Sequence, residues 1–255
     1  MTEAPFEPRD EPRRLDSLLL FVLPTVLLIA IFVYPNSTQI LEYKARNPTT
    51  LTILGSNLAH RGVRHIAGNL AGLWLIGSVG FMFACACQRK RLYYYSFASY
   101  LGVLPFFADE FIRDMIQNTP EIMATFESVG FSQTVGALVG FLALVSGLFV
   151  QNNLDEHVSG LLISLGLFIS GFSIVFINFG TDTSALVVSI ASGFAAIGYV
   201  LWRANKTIES PLYSDEAVQF VVIALLIFYA TLFLLFPSNV GGGFYGHLAG
   251  YVWGY

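Results

Sequence analysis

Long apolar runs, each closed by a short polar or charged stretch, dominate this chain. A helix needs about 20 apolar residues to cross a bilayer. Runs of that kind fall at 15–34, 65–87, 92–108, 129–150, 158–178, 184–202, 217–236 and 241–255, the last of them short. Between them stand helix-ending signals: Gln88-Arg89-Lys90-Arg91, an acidic stretch from Asp109 to Glu127, Gln151 to Glu156, Gly180 to Thr183, and a polar linker from Arg203 to Glu216. The pattern predicts an all-α, polytopic transmembrane bundle of about eight helices over residues 15–255. Residues 1–14, MTEAPFEPRDEPRR, mix acids, bases and prolines and predict a disordered tail. No small-residue cleavage site precedes Pro35, so the run at 15–34 is expected to stay as a helix and not to be removed as a signal peptide.

Composition agrees with a membrane protein: 55% of the residues are hydrophobic, 12% are charged, and the mean hydropathy is +0.65. A net charge of −4, with no basic run beyond Arg89-Lys90-Arg91 and no aromatic-basic alternation, leaves nucleic acid nothing to bind. Cys85 and Cys87 stand one residue apart, too close for an easy disulfide and without His or Cys neighbours for zinc, so inert buried thiols are expected. No cofactor and no metal is expected. Lysine and arginine counts orient the chain. With a cytoplasmic N-terminus the inner loops carry eight of these residues, including the 89–91 block, and the outer loops carry five. The runs at 65–87, 129–150, 184–202 and 241–255 then all enter from the outer side.

Polar groups at membrane depth are costly, and few are present. Ser132 lies near the start of 129–150, His65 and Asn69 near the start of 65–87, and His247 near the start of 241–255. All three segments enter from the same side, so these four side chains are expected at one depth. Helical spacing adds to this. Gly136, Gly140, Ala143 and Gly147 follow Ser132 on one stripe, and Gly250 and Gly254 follow His247 on another. Two such small-residue stripes can pack closely and bring Ser132 to His247. Taken singly, a membrane serine more often bonds the carbonyl one turn back, and such stripes are ordinary helix packing. The coincidence of depth is what singles these residues out.

The chemistry follows from the residue types. A serine hydroxyl becomes a nucleophile when a neutral imidazole takes its proton. The oxyanion formed on the attacked carbonyl needs fixed donors, which Asn69, His65 and backbone N–H groups can supply. No carboxylate is expected at matching depth to orient His247, so the reading is a Ser132–His247 dyad. Asp109 and Glu110 lie on the outer side at a predicted helix end and are weak candidates for that role.

At these residues the chain resembles the rhomboid intramembrane serine proteases, as a divergent prokaryotic member. The pieces are His60-Arg61-Gly62-Val63-Arg64-His65-Ile66-Ala67-Gly68-Asn69, similar to the family's His-x4-His-x3-Asn; Gly130-Phe131-Ser132, similar to Gly-x-Ser; and Gly246-His247-Leu248-Ala249-Gly250 with Gly254, similar to the last-helix histidine motif. The resemblance implies Ser132 as nucleophile, His247 as base, His65 and Asn69 in the oxyanion hole, and His60 as a supporting loop histidine. It also implies that the bond cut lies in or near a transmembrane helix, favouring small and helix-breaking residues. The chain departs from the family pattern in four ways. Gln133 replaces the glycine after the serine, and Gly136 stands where many members carry a tyrosine that stacks on the histidine, with Tyr245 and Tyr251 as the candidates to replace that ring. Leu51-Thr52 occupies the place of the usual Trp-Arg, and three predicted helices, not one, separate the serine and histidine segments. Two added helices preserve the direction of the last one.

The expected function is therefore intramembrane proteolysis of transmembrane protein substrates in the lipid bilayer of the cell membrane, with the site towards the outer side. The alternatives are a rhomboid-like protein that binds or chaperones transmembrane helices without cutting them, and a small-solute transporter. A transporter would need polar groups along a whole path, and these cluster at one depth.

Overall fold

The computed structural model describes residues 11–116, 127–153, 159–177, 215–235 and 243–255. The predicted tail lies mostly outside these residues, and the predicted run at 184–202 lies wholly outside them. The described chain is all-α apart from one two-residue ladder. The elements are α1 (Arg14–Val33), α2 (Ser37–Leu41), β1 (Tyr43–Lys44), α3 (Thr50–Ser56), α4 (Val63–Ala86), α5 (Lys90–Gly102), α6 (Leu104–Ile116), β2 (Glu127–Ser128), α7 (Ser132–Asn153), α8 (Gly160–Ile177), α9 (Asp215–Leu235) and α10 (Gly243–Gly254). Among the described residues three helices are long and apolar enough to cross a membrane: Arg14–Val33, Val63–Ala86 and Ser132–Asn152. This accords with a membrane protein.

Local chemistry accounts for several boundaries. In α1, Pro24 has no N–H to offer and sits just beyond a turn of π-helix at Leu18–Val22. In α3, Thr49 caps the helix reciprocally: its hydroxyl accepts from Thr52 N at 3.2 Å while Thr49 N donates to Thr52 Oγ1 at 2.9 Å. The run expected at 92–108 is two helices, α5 and α6, parted near Val103 where Pro105 interrupts the backbone ladder. Helix α6 then continues to Ile116, through part of the acidic stretch read from sequence as a helix end. Burial explains the difference, because Ala108 and Ile112 face the protein and carry Asp109 inward with them.

Helix α7 is the central element. Of its most apolar stretch 83% is buried, against 28% for α1, which therefore lies at the edge. It packs chiefly against α10, α8 and α4. The apolar core around it includes Leu73, Ile76, Phe83, Tyr93, Phe141 and Phe228. Outside the core, β1 and β2 pair antiparallel, Tyr43 opposite Ser128 and Lys44 opposite Glu127. The ladder fastens the segment after α1 to the segment leading into α7.

Candidate active site

The contact between α7 and α10 is built from backbone. A Cβ added at Gly136 would lie 2.6 Å from the His247 carbonyl oxygen, and one at Gly140 would lie 2.3 Å from that of Tyr251. From the other side, Cβ atoms on Gly250 and Gly254 would meet the carbonyl oxygens of Gln133 at 2.0 Å and Ala137 at 1.9 Å. All four distances are shorter than any real carbon contact, so the two helices touch only because these positions are glycine. The packing sets the His247 backbone against Gly136, one turn below Ser132.

The imidazole of His247 is fixed by a backbone partner. Its Nδ1–H donates to the Leu235 carbonyl at 2.6 Å. A carbonyl can only accept, so this bond puts the proton on Nδ1 and leaves the lone pair on Nε2, the form a general base requires. The Leu235 oxygen is one of the carbonyls that the last turn of α9 leaves without a helical partner. Of the two weak candidates from sequence for this role, Asp109 instead accepts from the Tyr43 hydroxyl, and the group that orients His247 is a backbone oxygen. A backbone oxygen carries no residue-type signal, so nothing in the sequence marked it.

A second cluster gathers where α4 meets the start of α7. His60 donates from Nδ1 to the Leu58 carbonyl at 3.1 Å, which makes Nε2 an acceptor. That nitrogen takes an N–H from Asn69 Nδ2 at 2.8 Å and a longer one from Phe131 N at 3.5 Å. The bond settles which way the Asn69 amide is turned, and leaves one further Nδ2–H on it. The ring of His65 meets that of His60 edge-on at 5.1 Å. His65 also lies close enough to His247 for a charge on one to be felt by the other. His60 is 2% exposed, and burial first, with neighbouring His65 second, pushes its pKa down to about 4.

Gly130 holds this cluster together. Its φ is +125°, a conformation that glycine adopts without strain, and a Cβ there would strike the His65 ring at 2.5 Å. Its N–H donates to the Ser56 carbonyl at 2.7 Å. Beyond it, Ser132 opens α7, where first-turn N–H groups have no carbonyl of their own helix to meet and lie at its positive end. Ser132 is 9% exposed, and its hydroxyl makes no hydrogen bond among the described residues.

The structure thus gathers His60, His65, Asn69 and Gly130 beside the N-terminus of the serine helix, and packs Gly136, Gly250 and Gly254 around the histidine helix. The Gln133 side chain lies between the start of α10 and a small cavity: its Oε1 would lie 3.8 Å from a Cβ at Gly246, and it lines the cavity with Ser56, Asp109 and Ser128. Tyr251, one sequence candidate for a ring over His247, instead stacks on Phe168 at 4.9 Å and donates its hydroxyl to the Phe168 carbonyl. The side chain of the other candidate, Tyr245, lies outside the described residues. Two residues not anticipated from sequence support the serine helix: Asn57 Nδ2 donates to Thr134 Oγ1 at 3.0 Å, both groups buried. No family model, no curated protein and no solved structure matches the chain.

Proposed function

We propose that this chain is a serine-type intramembrane endopeptidase that cleaves transmembrane segments of membrane proteins. The observation that carries the reading is the glycine interlock of α7 and α10, which sets the His247 backbone against Gly136, one turn from Ser132. The Nδ1-protonated form of His247 supports it further.

In this reading Nε2 of His247 takes the Ser132 hydroxyl proton as Oγ attacks the peptide carbonyl carbon. The carbonyl oxygen becomes an oxyanion, stabilised by the remaining Asn69 N–H, His65 and the backbone N–H of Ser132. Collapse breaks the C–N bond, and His247 returns the proton to the leaving amine. Water, activated by the same imidazole, then hydrolyses the ester and restores Ser132. The substrate helix must unwind locally, because helical peptide groups are shielded by their own hydrogen bonds. The proposal extends to a rhomboid-like bundle of eight helices, two of them added between the serine and histidine helices, with a cytoplasmic N-terminus and the site towards the outer side.

The test is labelling of the detergent-purified protein with a serine-directed fluorophosphonate. Labelling is expected in the wild type, to be absent in Ser132→Ala, and to fall by at least about 100-fold in His247→Ala. An unlabelled wild-type protein that also leaves a model transmembrane substrate intact would favour a helix-binding role without proteolysis.

A further inference from the structure

The starts of α1 and α5 meet at one end of the molecule. Asp16 of α1 pairs with Lys90 of α5 at 2.5 Å and accepts from the Tyr94 hydroxyl at 2.5 Å. Lys90 Nζ also donates to the Glu11 carbonyl at 3.3 Å, so its charge and its donors are engaged within the protein. Beyond the end of α4 the chain turns back through Gln88, whose φ is +58°, and Arg89 N donates to the Ala84 carbonyl at 2.7 Å. The turn holds the 89–91 block at the ends of two helices long and apolar enough to cross a membrane, α1 and α4.

Four arginines flank the Asp16–Lys90 bridge in sequence, Arg13 and Arg14 beside Asp16, Arg89 and Arg91 beside Lys90. All four are exposed, and among the described residues none of them forms an ion pair. The acids within 11–16 and 89–91 are Glu11 and Asp16, against five cations. The whole chain carries a net charge of −4, so this excess of positive charge is local. Helical spacing joins it to apolar surface. Leu18 follows Arg14 by one turn on the same stripe of α1 and is 51% exposed, and that stripe continues through exposed Val22 and Val26. On α5, Tyr95 follows Arg91 by one turn and is 72% exposed.

We propose that this end of α1 and α5 binds an anionic phospholipid, its phosphate taken by the arginine cluster and its acyl chain lying along the exposed stripe of α1. Charge at the helix ends with apolar side chains one turn below is the complement of a headgroup joined to an acyl chain. Nucleic acid or an acidic peptide would meet the charge and leave the apolar part uncovered. Guanidinium groups suit the task, since each can give two parallel N–H bonds to phosphate oxygens. The site lies at the opposite end of α4 from His65 and does not depend on Ser132 being a nucleophile.

The test is a competition. The full-length protein is placed in detergent micelles holding equal amounts of phosphatidylglycerol and phosphatidylcholine with the same acyl chains, and the lipids that stay bound are counted by native mass spectrometry. The wild type is expected to retain the anionic lipid over the zwitterionic one by about tenfold or more, and the preference should shrink as salt rises from about 0.05 to about 0.5 M. In Arg13→Gln/Arg14→Gln/Arg89→Gln/Arg91→Gln, which keeps the Asp16–Lys90 bridge, the ratio should fall to near one. With lysine at the same four positions it should stay above one. Lys44→Gln/Arg46→Gln, which removes two exposed cations at the β1–β2 ladder, should leave it unchanged. Each ratio is taken within one preparation, so a reduced folded fraction cancels. Equal retention of both lipids by the wild type, or an undiminished preference in the glutamine variant, would overturn the site. Loss of the preference in excess inorganic phosphate at constant ionic strength would mark a site for free phosphate and overturn the lipid assignment.

Discussion

Gly136 is the residue on which the α7–α10 contact is most sensitive near the site. A valine there would drive carbons into the His247 carbonyl and force α10 outward. Overpacking of this kind costs about 1–3 kcal/mol, and an ångström of misplacement at a catalytic group costs about 100-fold in rate. Gly136→Val should therefore lower fluorophosphonate labelling more than it lowers the thermal midpoint in detergent, with both measured on one sample. His60 gives a pH prediction. Its folded pKa of about 4 lies below the ordinary value of 6.5, so in acid the unfolded chain binds a proton that the folded one refuses. Its contribution is complete above pH 6.5 and is lost as pH falls from there to about 4, a loss on the order of 3 kcal/mol. Unfolding midpoints recorded across that range should drop in the wild type and drop less in His60→Gln. That variant keeps an acceptor for Asn69 and carries no titrating ring.

At the scale of elements, ion pairs fasten the first helix and the loops with unequal strength. Asp16 is 4% exposed; it pairs with Lys90 at 2.5 Å and accepts from the Tyr94 hydroxyl at 2.5 Å, tying α1 to α5. Removing one member leaves the other charge poorly compensated, at a cost of roughly 3 kcal/mol. Arg61 bridges Glu42 and Glu127, but its side chain is 52% exposed, and such pairs are worth under about 1 kcal/mol. Thermal melts should show a clear loss for Asp16→Ala and little change for Arg61→Ala. The long helices were legible in sequence because apolar runs and polar breaks mark them directly: 65–87 against Val63–Ala86, and 217–236 against Asp215–Leu235. The β1–β2 ladder and the continuation of α6 were not. A two-residue strand has no period to read, and α6 is held by contacts made with Tyr43, far away in sequence. The glycine stripes were visible from spacing alone. The Leu235 oxygen, the Asn57–Thr134 bond and the cavity around Asp109 were not, because each depends on a partner that only the folded chain brings near.

For the whole molecule, the proposed orientation makes a direct statement about sidedness. Single cysteines placed at Arg91 and Glu127, with Cys85 and Cys87 replaced, should react with a membrane-impermeant thiol reagent from the cytoplasmic and outer sides respectively. The reverse result would put the site on the cytoplasmic face. The glycine interlock also has a mechanical meaning. A joint made of backbone against backbone contains no rotamers, so it has nothing soft to yield and little side-chain entropy to regain by opening. Helices α7 and α10 should behave as one rigid post. Any movement that admits a long guest between helices must then fall on joints filled by flexible side chains, such as the face that α9 presents to its neighbours through Leu225, Phe228 and Leu232. Mobility, in this molecule, is a property of where the glycines are absent.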